Sequence, residues 1–502
     1  MSESAYDKLV AHARETALLT STQDLLFWDE ETYLPPAAGD YRAEQVAYLA
    51  KLVHARRTDP QVGEWLGECE ADGLDKADSV EAADVREMRR DFNKRTKLPP
   101  KLVEELSRTA SLAQKAWRDA RQADDFASFQ PHLEKMIGLK RQEAEALGYD
   151  ESPYDALLND YEPGETVANL TKVLGALRAE LAPLVEAIVA SGKQPPVRVL
   201  ERDYKIAAQR TFGKRVAEAI GFDFNSGRLD VTAHPFCGGA GPQDVRLTTR
   251  YDAQEFSSAF YSILHEAGHG LYEQGLPADR YGLPTGEAVS LGIHESQSRM
   301  WENLVGRSHA FWKHWFGPLG EQFPAAIKGV ELDDFYFAIN EARPSLIRVE
   351  ADEATYNLHI IVRFELEQAL LAGDLPVADL PAAWNEKYQQ YLGITPPNDA
   401  DGVLQDVHWS CGLIGYFPTY TLGNLYASQM FDAAHDALGD LDEQFAQGEF
   451  QPLRDWLRTH VHQHGRRYGA PQLAERVTGK PLSHEPLMAH LRAKYGSLYG
   501  AA

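Results

Sequence analysis

The chain has 502 residues, of which 44% are hydrophobic and 25% charged, as is usual for a globular protein with a large core. Its formal net charge is -25, and so large an excess of negative charge repels nucleic-acid phosphates and anionic lipid headgroups. The sequence has no apolar run of about 18 residues, and no basic segment leads into an apolar one at its start. It therefore predicts neither a membrane span nor a secretion signal.

The three cysteines, Cys69, Cys237 and Cys411, are odd in number, widely spaced and outside any Cys-x-x-Cys pattern. They are typical of free thiols in a reducing compartment rather than of a disulfide framework or a cysteine-ligated zinc site. We therefore expect a cytoplasmic protein that binds neither nucleic acid nor membrane.

Helical periodicity dominates the first 221 residues. Apolar residues recur at helical spacing opposite charged faces in seven segments, residues 3–21, 39–57, 79–95, 100–121, 127–147, 166–191 and 205–221. Proline pairs separate some of these segments without opening a low-complexity linker. We interpret residues 1–502 as one domain in which residues 1–120 form a helical arm or lid. A solvated flank of the same helical domain is the alternative.

A β element is predicted between residues 228 and 252. Apolar and polar residues alternate there in two short runs, Leu229–Ala233 and Val245–Thr249, on either side of the loop Gly238–Pro242. This pattern predicts an antiparallel strand pair, and an exposed strand edge beside a catalytic helix could pair with an extended peptide. Ordinary packing of a hairpin on a helix is the alternative.

The next helical segment contains the pattern His-Glu-x-x-His, at His265, Glu266 and His269. Apolar residues recur around it at helical spacing. Two imidazoles four residues apart lie one above the other on a helix and can bind one metal ion. The sequence therefore predicts that residues 228–300 combine the β element with metal-binding helices.

Catalytic zinc sites usually have three protein ligands and keep one position for water, so a third ligand must follow. A third histidine six residues after the pattern is ruled out, because that position is Gly275. The candidates are Glu295 and His294, with Glu287 and Glu273 as weaker ones. We favour Glu295, because a carboxylate from a second, antiparallel helix can complete the tetrahedron.

Glu266 points away from the helix face that the two histidines share, so it is better placed as a general base than as a ligand. Zinc lowers the pKa of water and polarises a carbonyl group. Glu266 can then take a proton from that water and pass it to a leaving amine. The pattern thus predicts metal-dependent hydrolysis of a peptide bond.

Six motifs, in order along the chain, together resemble one protein family. They are His234–Phe236, Asp244–Thr248, His265–His269, His294–Gln297, Ile347–Asp352 and Gly402–Trp409. Each motif alone is weak, but six in register are specific. Over most of its length the chain resembles the carboxypeptidase Taq family of zinc metallocarboxypeptidases.

The resemblance implies a mainly α-helical fold with two helical walls and a deep central groove, similar to neurolysin and angiotensin-converting enzyme. The alternating segments add a small antiparallel β element near the active site. The resemblance also implies removal of single residues from peptide C-termini, with broad specificity and little tolerance for proline. Members of the family take one zinc ion per chain, for which cobalt can substitute, and are commonly homodimers. We therefore expect a homodimer that acts on peptides with a free C-terminus.

The resemblance also implies roles for individual residues. Arginine recognises a carboxylate through its planar, two-pronged donor geometry. Arg348 and Arg246 stand in the arginine motifs, so we assign the terminal carboxylate of the substrate to them, Arg348 first. His234 and His408 are candidates for hydrogen bonds to the substrate backbone or the oxyanion, and Gln405 is a candidate for a substrate contact.

Tyr420 is the favoured phenol for stabilising the oxyanion, with Tyr416 as its rival. Asp406 is expected to orient a neighbouring side chain. Glu350 and Asp352 are interpreted as structural carboxylates that hold a functional residue in place.

Two other functions compete with this interpretation. An endo-oligopeptidase on a similar scaffold would use the same metal site but would not need a carboxylate-binding arginine. A peptide-binding scaffold that has lost catalysis would not need Glu266, which is present. A purely structural zinc site is disfavoured, because such sites are usually closed by four ligands that are mostly cysteine.

Overall fold

The structure is a computed structural model that describes residues 3–501. Most of the described chain is helical, and the α-helices are numbered in chain order. The helices before the sheet are α1 Ala5–Thr32, α2 Gly39–Arg57, α3 Pro60–Ala71, α4 Val80–Lys97, α5 Pro100–Ala123, α6 Phe126–Leu147, α7 Pro153–Leu158, α8 Val167–Ala190 and α9 Ile206–Ile220. None of the described helices is both long enough and apolar enough to cross a membrane.

The second half of the chain continues with helices after the sheet. They are α10 Ser257–Gly275, α11 Leu291–Arg299, α12 His309–Gln322, α13 Leu332–Ile339, α14 Tyr356–Ala372, α15 Leu380–Leu392, α16 Pro418–Leu438, α17 Leu441–Gln447, α18 Gln451–His460, α19 Ala470–Thr478 and α20 Glu485–Tyr499. A π-helical turn, Met300–Val305, continues α11. The predicted mainly helical class is confirmed.

Six of the seven predicted helices have ends within two residues of the prediction. The exception is α1, which continues eleven residues past the predicted end at residue 21. In this polar, threonine-rich stretch Thr16, Thr20 and Thr22 donate their hydroxyls to the carbonyl four residues earlier, so these groups are satisfied within the helix. The helices α3 and α7 were not predicted, and α7 is too short to show a periodic pattern.

The described residues contain one small sheet, with strands β1 (Gly227–Val231), β2 (Cys237–Gly239) and β3 (Val245–Thr249) in the order β1-β3-β2. The predicted antiparallel pairing of its two alternating segments is wrong. β1 pairs with β3 in parallel, with Leu229 opposite Leu247, and β2 pairs with β3 antiparallel. The chain reverses direction between β1 and β2 and again between β2 and β3, one reversal more than predicted. The glycine-rich segment therefore leads from β2 into β3. The small sheet is therefore mixed.

The described chain folds into two compact units, each assembled from three segments of the sequence. Unit 1 contains the described residues up to Thr96 with Pro196–Ile339 and Met430–Gly479, and unit 2 contains Lys97–Pro195, Asn340–Gln429 and the described residues from Lys480 onward. The sheet, α10 and α11 belong to unit 1. Residues 1–120, which we expected to form one arm, are divided between the units after Thr96.

An aromatic core in unit 1 holds the first turns of α10. Phe256 and Phe260 stack with ring centroids 5.0 Å apart, and Phe260 packs against Trp312 at 5.2 Å and against Phe212 at 5.6 Å. All four side chains are buried. Large buried rings of this kind contribute much of the packing energy of a core, so α10 is fixed on its apolar face.

Candidate functional site

The His-Glu-x-x-His pattern lies in the middle of α10, and α11 packs very close to it. A Cβ atom on Gly268 would lie 2.6 Å from the carbonyl oxygen of Gln297 and 2.6 Å from Cα of Ser298. Glycine alone avoids this clash, since every other residue carries a Cβ atom. The close approach brings Glu295 of α11 beside the two histidines of α10.

Three side chains can hold a metal ion, and with Glu266 we call them the metal cluster: His265, Glu266, His269 and Glu295. Nε2 of His265 lies 3.6 Å from Oε2 of Glu295, and Nε2 of His269 lies 3.4 Å from the same oxygen. Two ligands bound at about 2.1 Å to a tetrahedral zinc ion lie about 3.4 Å apart. The donor set therefore fits such an ion, with Glu295 in the place predicted for the third ligand.

The second ring nitrogen of each histidine orients its imidazole. Nδ1 of His265 lies 2.8 Å from Oε2 of Glu302, and Nδ1 of His269 lies 3.1 Å from the carbonyl oxygen of His294. Both partners are acceptors, so each Nδ1 carries the proton. The lone pair of Nε2 is then free to bind a metal in both rings.

Arg299 determines which oxygen of Glu295 faces the histidines. Its Nε donates to Oε1 of Glu295 at 2.7 Å, and its Nη1 donates to Oε2 of Glu302 at 3.4 Å. Burial would raise the pKa of Glu295, but Arg299 and the two histidines outweigh it and hold that pKa well below its usual range. Glu295 is therefore ionised, as a metal ligand must be.

The metal cluster carries an excess of negative charge. Burial would lower the pKa of His265, but Glu295 and Glu302 raise it to about 9. Burial and the neighbouring His294 lower the pKa of His269 to about 3. The carboxylates thus favour a cation at the histidine pair, and a metal ion can supply that charge in place of a proton.

Glu266 is buried, with 6% of its surface exposed. Burial raises the pKa of Glu266 to about 7, against the opposing effect of His265. A carboxyl group whose pKa lies near neutrality suits a general base, which is the role predicted for it.

The alternative ligands make other contacts. The ring of His294 lies against that of His269, with centroids 4.5 Å apart, and Nε2 of His294 lies 2.7 Å from Oε1 of Glu273. Glu287 pairs with Arg466 at 3.1 Å. His294 and Glu273 therefore support a ligand, and Glu287 belongs to a separate ion pair.

A buried carboxylate of the N-terminal helices anchors the loop between α10 and α11. Asp84 of α4 is fully buried, and its Oδ1 accepts from the backbone nitrogen of Thr285 at 3.0 Å and from its hydroxyl at 2.8 Å. Its Oδ2 accepts from the hydroxyl of Tyr6 at 2.8 Å and pairs with Arg280. The helices α1 and α4 therefore fix the loop that leads to Glu295.

Arg246 and His234 also lie in unit 1. Arg246, on β3, donates from Nε and Nη2 to the two oxygens of Asp244, both at 2.8 Å, and its guanidinium lies 4.2 Å from the ring centre of Trp28. Asp244 thus occupies the Nε edge of Arg246 and leaves N–H groups on both terminal nitrogens, so its contact with the substrate carboxylate stays a prediction. His234 is exposed, and its substrate contact stays a prediction.

Strand β2 lies at an edge of the sheet, beside a large cavity. Cys237, Gly238 and Gly239 line this cavity of 1470 Å³ in unit 1, together with residues of α1 and the last turns of α10. Pairing of an extended peptide with the sheet edge stays a prediction.

Unit 2 holds a second buried group of charges, the arginine cluster of Arg348, Arg363 and Asp406. Nε and Nη2 of Arg348 donate to Oδ1 of Asp406 at 3.0 and 2.9 Å, and its Nη1 donates to the hydroxyl of Tyr356 at 3.2 Å. One N–H then remains on each terminal nitrogen of Arg348, a pair that matches the two oxygens of a carboxylate. Arg363 binds Oδ2 of Asp406 at 2.6 Å. The cluster thus holds two positive charges against one negative charge.

Gln405, predicted to contact substrate, makes hydrogen bonds within the protein at both ends of its side chain. Its Oε1 accepts from the backbone nitrogen of Arg348 at 2.9 Å and from Nη2 of Arg363 at 2.7 Å. Its Nε2 donates to the carbonyls of Leu346 at 3.0 Å and Asp401 at 3.1 Å. The protein itself satisfies both ends of this buried amide, which thereby holds the backbone of Arg348, and its contact with substrate stays a prediction.

The other carboxylates of the motifs have separate roles. Asp406 orients Arg348, which agrees with the expectation that it holds a neighbour. Asp352 accepts from the backbone nitrogens of Ala354, Thr355 and Arg343, so it fixes the start of α14. Glu350 is exposed. Asp352 is thus structural, but it holds backbone rather than a functional side chain.

His408 and Tyr420 contact each other in unit 2, with Nε2 of His408 3.3 Å from the hydroxyl of Tyr420. The ring of the rival Tyr416 lies 5.4 Å from each of them, and the guanidinium of Arg348 lies 5.0 Å from the ring centre of Tyr420. Burial lowers the pKa of His408 to about 4, with Asp406 opposing and Arg348 adding to the effect. Its imidazole is therefore neutral at physiological pH.

Comparison with known proteins places these observations in one family. The sequence profile of the carboxypeptidase Taq (M32) metallopeptidases matches residues 8–495. The chain belongs to this family. Thermostable carboxypeptidase 1 of Thermus thermophilus is 48% identical over 99% of both chains, and carboxypeptidase 1 of Bacillus subtilis is 38% identical over 95% of both. The crystal structure of the M32 carboxypeptidase from Deinococcus radiodurans matches with a TM-score of 0.95 at 44% identity, covering 99% of each chain.

Membership of the M32 family makes the protein a metallocarboxypeptidase, a peptide hydrolase, and confirms the resemblance that the six motifs indicated. The family is one of metal-dependent enzymes, and His265, His269 and Glu295 are the described residues that fit a metal ion.

The sequence interpretation missed Arg299 and Glu302 in this M32 site. They follow Glu295 by four and seven residues, spacings that share one face of an α-helix, so a signal was present. What the spacing does not reveal is the π-helical turn that begins at Met300 and contains Glu302. Such turns occur frequently at functional sites.

Proposed function

We propose that this M32 enzyme releases single amino acids from the free C-termini of peptides, with broad side-chain preference and little activity on proline. The observation that carries the exopeptidase assignment is the buried Arg348, which retains one N–H on each terminal nitrogen. A free terminal carboxylate offers two oxygens to that pair, whereas an internal peptide bond does not. The breadth of specificity rests on the family resemblance.

We propose zinc as the metal, one ion per chain, with cobalt able to substitute. The donor set of two imidazoles and one carboxylate is a frequent catalytic zinc set, and the Nε2–Oε2 distances of 3.6 and 3.4 Å support it. When bound, the ion would polarise the scissile carbonyl and lower the pKa of the attacking water. Metal analysis of the purified enzyme, followed by reloading with zinc or cobalt, tests this choice.

Glu266 is proposed as the general base. It takes a proton from the attacking water and delivers it to the leaving amine. Its burial supports both steps, because a carboxylate removed from water accepts a proton more readily than an exposed one.

Tyr420 is proposed to donate its O–H to the developing oxyanion, with His408 as a second hydrogen-bonding group. Their mutual contact at 3.3 Å and the neutral state of His408 support this pairing. Tyr416 is the rival phenol, so Tyr420→Phe should lower kcat more than Tyr416→Phe. Arg246 and His234 are secondary candidates for contacts to the substrate.

One experiment separates the carboxypeptidase from its rivals. The purified enzyme is incubated with an unmodified peptide and with its C-terminally amidated twin, with and without a chelator, and the products are read by mass. We expect stepwise, chelator-sensitive loss of C-terminal residues from the free acid alone. Internal cleavage of both peptides would identify an endo-oligopeptidase, and no cleavage after metal loading would identify a binding scaffold.

We further propose a cytoplasmic homodimer. The three cysteines are free thiols, which suits a reducing compartment, and the dimer rests on the family resemblance. Light scattering after size-exclusion chromatography tests the dimer, and fractionation of cells tests the compartment.

A further inference from the structure

The buried helix α14 carries a stripe of polar side chains. His359, Arg363 and Glu367 follow one another at intervals of four residues, so they share one face of the helix. All three have 0% exposure. Buried polar and charged groups are costly unless each finds partners, and Arg363 and Glu367 each have two partners in the segment Gln405–Gly415.

Glu367 accepts hydrogen bonds from three donors. Its Oε1 accepts from the indole Nε1 of Trp409 at 2.8 Å. Its Oε2 accepts from the hydroxyl of Tyr154 at 2.7 Å and from the backbone nitrogen of Gly415 at 3.1 Å. Trp409 directly follows His408, and Gly415 lies at the far end of the turn after it. Glu367 therefore fixes the segment of His408 at two points.

The conformation of this turn depends on glycine. Gly415 has a φ of +89°, which side-chain-bearing residues rarely adopt, and a Cβ atom there would lie 3.0 Å from the backbone nitrogen of Leu158. The turn is thus tight against α7, and the bond from Gly415 to Glu367 ties it to α14 as well.

Arg363 contacts the two residues that hold Arg348 in place. Its Nε donates to Oδ2 of Asp406 at 2.6 Å, and its Nη2 donates to Oε1 of Gln405 at 2.7 Å. Its Nη1 donates to the carbonyl of His359 at 2.7 Å. Asp406 and Gln405 are the two groups that hold the side chain and the backbone of Arg348, so Arg363 reaches Arg348 at one remove.

We propose that the polar stripe of α14 positions the reacting groups of unit 2, with Arg363 positioning Arg348 for carboxylate recognition and Glu367 positioning His408 for turnover. The inference rests on the proposed function of Arg348 and His408. The proposal also accounts for the tryptophan that follows His408, because the indole N–H of Trp409 donates to Glu367 and so fixes the His408 segment. Positioning matters here because a displacement of about 1 Å in an active site can cost about 10²-fold in rate.

Glu367→Gln tests the first role. The amide keeps the size of the side chain but places an N–H against one of the three donors. We expect kcat on a free-acid peptide to fall about 10- to 100-fold, with KM changed by less than about threefold. An unchanged kcat would overturn the role of Glu367.

Tyr154→Phe is the matched control. It removes a hydrogen bond to the same carboxylate but leaves Trp409 and Gly415 bound to Glu367. We expect kcat within about threefold of the wild-type value. Equal losses of kcat in Tyr154→Phe and Glu367→Gln would show that Glu367 acts only through stability, and would overturn the proposal.

The NMR resonance of the Trp409 indole N–H reports on its hydrogen bond to Glu367 without a measurement of turnover. In enzyme labelled with ¹⁵N-tryptophan, Trp409→Phe assigns its resonance. The resonance should move in Glu367→Gln and stay in place in Tyr154→Phe; the same position in all three proteins would overturn the proposal. Where Glu367→Gln does not fold, Trp409→Phe replaces it in the kinetic test, with an expected fall in kcat of about tenfold and an overturning result of no fall.

Arg363→Lys tests the second role. Lysine keeps the charge but cannot bind Asp406 and Gln405 together as the planar fork of arginine does. We expect the opposite kinetic pattern, with KM for a free-acid peptide raised about tenfold and kcat changed less. A fall in kcat at constant KM would overturn the role of Arg363.

Two further variants separate failure of this inference from failure of the proposed function. His408→Gln and Arg348→Lys remove the groups that the stripe is proposed to position. If both leave the kinetics unchanged, the proposed function fails and the inference fails with it. If both impair the enzyme while Glu367→Gln and Arg363→Lys do not, only the inference fails.

Discussion

The metal cluster of unit 1 and the arginine cluster of unit 2 are both largely shielded from solvent, yet they have opposite charge imbalances. In unit 1 the carboxylates raise the pKa of His265 to about 9, so that cluster favours an added cation. In unit 2 the single carboxylate of Asp406 pairs with two arginines, Arg348 and Arg363, so that cluster favours an added anion. The sign of an uncompensated buried charge indicates the charge of the ligand, which fits a metal ion in one unit and the substrate carboxylate that we propose in the other.

Glu266 is the exception in this comparison, because the role proposed for it is catalytic and not charge balance. Glu266→Gln should keep the metal and lower kcat by about 10²- to 10⁴-fold, because general acid–base catalysis is lost. Peptide hydrolysis and metal content are measured on the same preparation. An active variant that keeps its metal would remove Glu266 from the mechanism.

Arg348→Met tests the anion-binding side. Loss of a buried, two-pronged contact to a carboxylate should lower kcat/KM for a free-acid peptide by about 10²-fold, equivalent to about 3 kcal/mol. Arg343→Met, at an arginine whose side chain is 71% exposed, serves as the control and should change little. Equal losses of kcat/KM in the two variants would show that Arg348 has no specific role in recognising the terminal carboxylate.

Glu302→Gln sharpens the cation-binding side. The variant keeps a hydrogen bond to Nδ1 of His265 but removes the charge that favours a cation there. We expect metal affinity to fall about 10- to 100-fold, as for other carboxylates that orient a ligand histidine. Competition with a chromogenic chelator measures it. Glu273→Gln, which alters the partner of His294 and no ligand, should retain the wild-type affinity.

The buried His462 belongs to neither cluster and makes the stability of the protein depend on pH. Burial, with a contribution from Arg458, lowers its pKa to about 3, while the unfolded chain has the ordinary value of about 6.5. Between these values the unfolded state binds more protons, so the stability that His462 contributes is complete above about pH 6.5 and is lost as the pH falls toward 3. His462→Gln should reduce the loss of stability at pH 5 by about 2 kcal/mol.

Urea unfolding of the chelator-treated protein at pH 7.5 and at pH 5 measures this difference. The glutamine can keep the contact that Nε2 of His462 makes with Oε1 of Gln297 at 2.9 Å. His309→Gln, at an exposed histidine, is the control. The same acid-induced loss in wild type and in His462→Gln would contradict the prediction.

The sequence predicted those features whose signal lies within one element. The spacing of His265 and His269 on a helix, and a carboxylate on the following helix, led to the three residues that approach within ligand distance. Family motifs added Arg348 and His408, which lie together in unit 2 with Tyr420, a candidate from outside the motifs.

Features that depend on contacts between elements were not predicted. The parallel pairing of β1 with β3 depends on one additional chain reversal, which alternation of apolar residues cannot reveal. The hydrogen bonds of Gln405 to Arg348 and Arg363 were not predicted, because a motif shows which residues occur together but not which atoms they satisfy. Arg363 and Glu367 lie outside all six motifs, and an i, i+4 spacing of polar residues on a helix usually marks a solvated face.

The bonds from Asp84 to Thr285 and Arg280 have a consequence for protein engineering. A shortened chain that begins after the N-terminal helices would lose the carboxylate that accepts from the backbone N–H of Thr285 and that pairs with the charge of Arg280. Each such loss costs about 1–3 kcal/mol, in the loop that delivers a metal ligand. Residues 5–97 therefore have to be kept in any minimal version of the enzyme, and a miniaturised form should be sought by trimming elsewhere.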